Sequence, residues 1–308
     1  MLIGLHIMNF SWPGGSSAIA RTLDSILTKA EEAGIHSYWP MDHFFQIPVM
    51  GQPDDPMPEV YTTLAWAAGR LRKMQLGALV TGVHYRHPGV LMKQVSTLDV
   101  LSGGRAWLGI GAAWNEQESR GLGVPFPPLA ERYERLEETL QIAHRMFDDD
   151  DSTFEGKHYR LERPINHPAP VRRPPIMIGG MGERKTMSLV ARYADANNFF
   201  ETPELGRKLD VLRTRCDEAG RPYDDIVKTT LGPLGDLDLD QARRRFEALA
   251  DLGVDLALVD LPSPPDDRVF DYLAELVQQV APLGRPAPPA LLTSQRGHQF
   301  TGAAAPGR

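Results

Sequence analysis

Gly179, Gly180 and Gly182 stand around Met181, and Arg184, Lys185 and Thr186 follow at once. Glycines let a backbone come close to a ligand and free its N–H groups, and a helix start adds partial positive charge, so a phosphate fits there. Arg184 and Lys185 bring formal charge to the same turn. As plain structure the run is a tight strand-to-helix turn. Asp42-His43-Phe44 sets a carboxylate beside an imidazole, a pair suited to acid or base work near neutral pH. Its plain alternative is a polar loop. His84 and His87 have a metal-like spacing of three, but no acidic ligand stands near them in sequence, so no metal is expected. Pro88 suits the first turn of the next helix. Gly109-Ile110-Gly111-Ala112-Ala113-Trp114-Asn115-Glu116 offers glycines against which a planar ring can lie and Trp114 as a wall. Asn115 either bonds that ring or caps the helix that follows.

Each of these groups follows a short apolar run. The runs predict strands over Leu2–Met8, Ser37–Met41, Gln75–Thr81, Ala106–Ile110, Pro175–Ile178, Ala196–Phe200, Ile226–Leu231 and Leu256–Leu261. Helical patterns lie between them. The clearest has apolar residues at Leu129, Tyr133, Leu136, Leu140, Ala143 and Phe147. Another, Val90, Leu91, Val95, Leu98 and Leu101, is stopped by Gly103 and Gly104. Eight strands each followed by a helix predict an α/β fold, a (β/α)8 TIM barrel, which binds its ligands at the C-terminal strand ends. A doubly wound sheet would usually place a Gly-x-Gly-x-x-Gly after the first strand, where Asn9 to Gly15 stands instead.

Two insertion loops, after strands 2 and 4, exceed what a barrel needs: Phe45–Pro58, and Asp148–Pro170 with a hairpin over Thr153–Leu161. Loops of this size often serve as lids or binding elements. Residues 1–281 are expected to form one barrel domain, and the Pro/Ala/Gly-rich 282–308 a mobile tail.

At 308 residues and 42% apolar content the chain can bury a sizeable core. Thirty-three basic against 40 acidic residues give a net charge of −7, which argues against nucleic acid and anionic membrane as partners. Cys216 is the only cysteine, so no internal disulfide forms, and a cytoplasmic location is expected. It sits in a charged helical segment and is read as structural. No run reaches the ~18 apolar residues of a membrane span.

Five segments together resemble the luciferase-like monooxygenase superfamily, in particular its branch of oxidoreductases using the deazaflavin coenzyme F420. They are Met41–Ile47, Thr81–Pro88, Leu98–Ala106, Gly109–Glu116 and Ile178–Glu183, in the family's order, within a likeness from Leu2 to Leu261. The resemblance implies a barrel with its cofactor at the C-terminal face, and commonly a homodimer. It places the ring against the third strand at a bulge with a non-prolyl cis peptide near Ala78-Leu79, close to Thr81, and against Gly111, Ala112 and Asn115. The phosphate falls on the turn of Gly179, Gly180, Met181 and Gly182. Asp42 and His43 match the pair lining the ring in the deazaflavin-dependent sugar-phosphate dehydrogenases, where the histidine is the base. Those enzymes carry a glutamate acid where Ala112 stands here.

The expected activity is therefore hydride transfer between C5 of F420 and a small organic substrate, with His43 as acid or base and Asp42 orienting it or binding the ring. An FMN-dependent luciferase-like monooxygenase is the alternative within enzymes. A non-catalytic flavin or deazaflavin carrier is the alternative outside them.

Overall fold

Runs buried on both faces make parallel strands, and the helical stripes between them supply the cover. The computed structural model describes residues 1–235, 238–263 and 265–292. The chain runs β1 (Leu2–Ile7), α1 (Ser16–Glu32), β2 (Ser37–Pro40), α2 (Val60–Ala68), β3 (Gln75–Leu76), β4 (Thr81–Gly82), α3 (Pro88–Ser102) and β5 (Leu108–Gly111). Next come α4 (Glu116–Gly121), α5 (Leu129–Phe147), β6 (Phe154–Glu155), β7 (Arg160–Leu161), β8 (Ile176–Gly179), α6 (Thr186–Tyr193) and β9 (Ala196–Phe200). Then follow α7 (Leu205–Ala219), β10 (Val227–Pro233), α8 (Leu239–Asp251), β11 (Leu256–Asp260) and α9 (Arg268–Val280).

Nine of these strands form one curled parallel sheet in the order β3-β2-β1-β11-β10-β9-β8-β5-β4. Its two edges come from one stretch of chain. β3 pairs with β2 through Ser37–Gln75 and Tyr38–Leu76, while β4 pairs with β5 through Thr81–Ile110 and Gly82–Gly111. Leu76 also bridges Ala106, its N–H donating to the Arg105 carbonyl and its carbonyl accepting from Trp107 N–H. The result is a TIM-barrel-like α/β fold. The predicted third strand is thus two short pieces around Gly77–Val80, and the cis peptide bond is Leu79–Val80, one bond later than the resemblance places it.

Inside the curl, Trp39 and Trp107 meet edge-on at 5.6 Å and pack with Met177, Val227, Leu256 and Leu258. A larger core lies between the outer sheet face and the helices. On α3 the expected apolar stripe is only partly inward: Leu91, Val95 and Leu98 are buried, while Val90 and Leu101 face solvent. Gly103 takes the left-handed conformation that ends this helix (φ 71°).

The start of the expected mobile tail is held against the barrel at Ala290 and Leu291. Leu291 is buried at the N-terminal ends of the strands, and its carbonyl is held by His36 Nε2 (2.8 Å) and Gln75 Nε2 (2.7 Å). Arg172 holds the neighbouring Ala290 carbonyl at 2.6 Å. Residues 293–308 lie outside the described ones.

The two long loops part company. Phe45–Pro58 lies over the C-terminal strand ends. The β6–β7 hairpin instead runs along α5, where Glu138 accepts the N–H groups of Lys157, His158 and Tyr159. Cys216 is buried on α7.

Candidate active site

The C-terminal ends of the strands surround a cavity of about 530 Å³. His6 and Met8 close β1, Asp42 and His43 follow β2, Leu79, Val80 and Gly82 come from the β3–β4 stretch, and Gly111 to Trp114 follow β5. Gly179 to Gly182 follow β8, Asn198 and Phe200 lie on β9, and Ile47 and Val49 come from the loop after β2. No residue of 148–170 lines it, so only one of the two loops expected to shape binding reaches the cavity.

His43 is held by a partner that sequence reasoning missed. Its Nδ1 lies 2.6 Å from Oε1 of Glu118 on α4, a side chain with no exposure at all. The other oxygen, Oε2, accepts the N–H groups of Phe44 (2.6 Å) and Phe45 (3.2 Å), and the Tyr85 hydroxyl donates to Oε1. Burial pushes the Glu118 carboxyl up, but the bonds from His43, Tyr85 and Phe44 N–H outweigh it and hold it below the ordinary glutamate value. Burial and the bond to Glu118 push the Tyr85 phenol well up, so it stays protonated and donates. A carboxylate at Nδ1 assigns the ring proton there and leaves Nε2 as the neutral ring's lone pair. Trp114 packs edge-on against the imidazole at 5.4 Å.

Asp42 does not orient His43. Its side chain is fully buried in a two-pronged pair with Arg86, at 2.7 and 3.0 Å, and Arg86 also reaches Glu59 at 2.5 Å. Burial disfavours the charge on Arg86, but the two carboxylates prevail and raise its pKa. The Asp42-His43 adjacency therefore serves two separate networks.

Of the other predicted residues, Leu79, Gly111, Ala112, Gly179, Gly180, Met181 and Gly182 line the cavity. Three do not. Ala78 is buried behind Gly109, where an added Cβ would stand 1.9 Å from the Ala78 carbonyl oxygen. Thr81 is buried and its hydroxyl pairs with Tyr61 at 2.7 Å. Asn115 is buried at the start of α4, and its side chain makes no capping bond. His84 and His87 also part: His84 Nε2 bonds Ser119 Oγ at 2.8 Å, whereas His87 caps α3 by accepting from Gly89 N–H.

His6, also unforeseen, sits at the cavity floor with Nδ1 2.6 Å from Asp260 Oδ1. Its Nε2 is buried without a protein partner among the described residues.

The cavity fits a flat ring carrying a phosphate. A Cβ at Gly111 would stand 2.9 Å from Val80, and one at Gly179 would stand 2.8 Å from it, so side chains there would fill the cleft beside the bulge. Gly180 has φ +124°, which only glycine adopts readily. Among the described residues the N–H groups of Met181 and Gly182 donate to no backbone carbonyl, and Thr186 Oγ1, 2.9 Å from the Tyr133 hydroxyl, stands beside them. Free N–H groups at a helix start suit an anion.

Comparison with known proteins agrees with this geometry. Residues 1–259 match the luciferase-like monooxygenase family model. An F420-dependent glucose-6-phosphate dehydrogenase of Kineococcus radiotolerans is 34% identical over 222 residues, 67% of this chain and 61% of that protein. One from Intrasporangium calvum is 32% identical over 221 residues, covering 67% and 63%. The chain thus spans less than two thirds of these relatives' length. Among solved structures, an F420-dependent secondary alcohol dehydrogenase with an F420-acetone adduct superposes with a TM-score of 0.76 at 16% identity, covering 91% of this chain and 98% of that one. The FMN-bound oxygenating constituent of a 3,6-diketocamphane monooxygenase from Pseudomonas putida gives 0.72 at 19%, covering 92% and 99%. By its family-model match and its relatives, this chain belongs to the luciferase-like monooxygenase family.

Proposed function

We propose that this chain is an F420-dependent oxidoreductase that moves a hydride between the deazaflavin and a small organic substrate. The observation that carries the reading is His43 at the cavity wall, with Nδ1 on a buried carboxylate and Nε2 left for a substrate. The cofactor, when bound, supplies the hydride donor or acceptor at its C5. Gly111, Gly179, Leu79 and Val80 would hold the ring, and Met181, Gly182 and Thr186 the phosphate. His43 Nε2 takes a proton from a substrate hydroxyl in oxidation and returns it in reduction. Glu118 stabilises the imidazolium that forms, as a positioning residue. Ile47, Val49, Leu129 and Phe200 make the rest of the lining largely apolar, which favours a substrate with few charges.

Ala112 supports something other than sugar-phosphate oxidation, since no carboxylate stands at that position. A small alcohol, ketone or enone fits the lining better. The FMN-dependent monooxygenase is kept as the second reading because an FMN-bound enzyme shares the fold. The reading includes a cytoplasmic homodimer, checked by light scattering of the purified protein. The functional test is a titration with F420 and FMN side by side, followed by turnover with and without oxygen. Tight F420 binding with oxygen-independent turnover supports the proposal. Preference for FMN with oxygen-dependent product moves the chain to the monooxygenases, and binding without turnover on any substrate moves it to the carriers.

A further inference from the structure

A second cavity of about 170 Å³ opens on the outer side of the glycine turn, between α5 and α6. Tyr133 walls both cavities, and its hydroxyl bonds Thr186 at the turn. Lys185 Nζ lies 5.3 Å from the Tyr133 ring centre, so a cation stands where the two spaces meet. Arg184, Ser188 and Arg192 complete the α6 side, and Glu134 and Glu137 the α5 side.

Every carboxylate near this groove is already held. Glu134 takes Lys157 (2.7 Å) and His158 (2.7 Å), Glu137 takes Arg192 (2.8 Å) and the Tyr193 hydroxyl, and Glu183 turns to Lys208 (2.6 Å) and Arg207 (2.8 Å). Arg184 and Lys185, both exposed, have no carboxylate within ion-pair distance among the described residues. A groove whose acids are spoken for and which keeps two unpaired cations among the described residues is an anion site. It begins where a phosphate on the Met181–Thr186 turn would end.

We propose that this groove binds the oligo-γ-glutamate tail of the deazaflavin cofactor, with tail carboxylates on Arg184 and Lys185. The assignment rests on the F420 reading above. It also gives that reading a source of selectivity: FMN ends at its phosphate and leaves the groove empty, whereas F420 continues through lactate into glutamates. The site selects by what lies beyond the phosphate, and the ring pocket need not discriminate.

Fluorescence titration of the whole protein tests it with three ligands: F420 bearing several glutamates, the form that stops at the lactyl phosphate, and FMN. The wild type is expected to bind the tailed form about tenfold more tightly than the tail-less form, the scale of two exposed ion pairs, with the preference shrinking as salt is added. The double variant Arg184→Gln/Lys185→Gln should lose this preference and bind both deazaflavins equally. Ser188→Glu, which sets a new carboxylate in the groove, should also remove the preference. Equal affinity of the wild type for tailed and tail-less forms overturns the groove assignment and leaves the cofactor reading standing. A preference that survives in both variants overturns it too. Binding of neither deazaflavin overturns both.

Discussion

Oε1 of Glu118 lies 2.6 Å from Nδ1 of His43, while Oε2 of the same carboxylate accepts the N–H of Phe44. One buried group thus fixes both the imidazole and the backbone that carries it. His43→Ala is expected to lower kcat about 10²- to 10⁴-fold, the usual worth of a general acid or base. Cofactor affinity should stay nearly intact. Equal loss of both would refute the catalytic role.

Glu118→Gln keeps the shape of the side chain but places an amide N–H₂ where donors converge. A kcat loss with little change in KM, together with a displaced pH profile, is expected, since Gln fails to favour the imidazolium. A pH profile identical to wild type, with only lowered stability, would reduce Glu118 to scaffolding.

Arg86→Met strands the fully buried carboxylate of Asp42. Removing one partner of a buried pair costs about 3–5 kcal/mol, so urea unfolding should shift strongly toward lower denaturant. Asp42→Asn in the same background should recover much of the loss by removing the orphaned charge. A double variant no more stable than Arg86→Met would show that the pair is not coupled.

His84 carries a pH dependence. Burial first, then the nearby Arg132, lowers its pKa from 6.5 to about 4, because both oppose the charged ring. The unfolded chain takes up this proton more readily than the folded one. The contribution is complete above pH 6.5 and is lost as pH falls toward 4. His84→Gln should flatten the decline of Tm over that window, and an unchanged slope would assign the decline to other groups.

Gly182→Val places a Cβ 2.7 Å from Thr186 Oγ1 and 3.4 Å from the Tyr133 hydroxyl. Phosphate-bearing ligands should lose affinity at least about tenfold through the crowded helix start, while a ring without phosphate binds as before. Loss of the bare ring as well would move the phosphate away from this turn.

The strands were legible because each is an apolar run bounded by glycine, proline or polar residues, a signal contained in eight consecutive positions. The glycine turn was legible for the same reason. Glu118 was not. It stands in Glu116-Gln117-Glu118-Ser119-Arg120, a run that reads as a solvated face, and Glu116 and Arg120 do pair at the surface. Only the fold, bringing positions 75 apart into one site, distinguishes the buried carboxylate from its exposed neighbour. Arg86 was visible as a cation, yet its bond to Asp42 spans 44 residues and overrides the adjacent Asp42-His43 pairing that sequence proximity suggested. The interruption of the third strand left no mark in the apolar run itself and was anticipated only through the family resemblance, one bond away from the observed Leu79–Val80.

The Pro288–Leu292 segment stoppers the barrel at the strand ends opposite the cavity mouth, clamped by His36, Gln75 and Arg172. A fusion joined directly after Leu292 would therefore leave the molecule from its underside. The cavity mouth would face outward, free for ligands. A chain ending before Pro288 would instead uncork the inner layer of Trp39, Trp107 and Leu256 and leave an open apolar base.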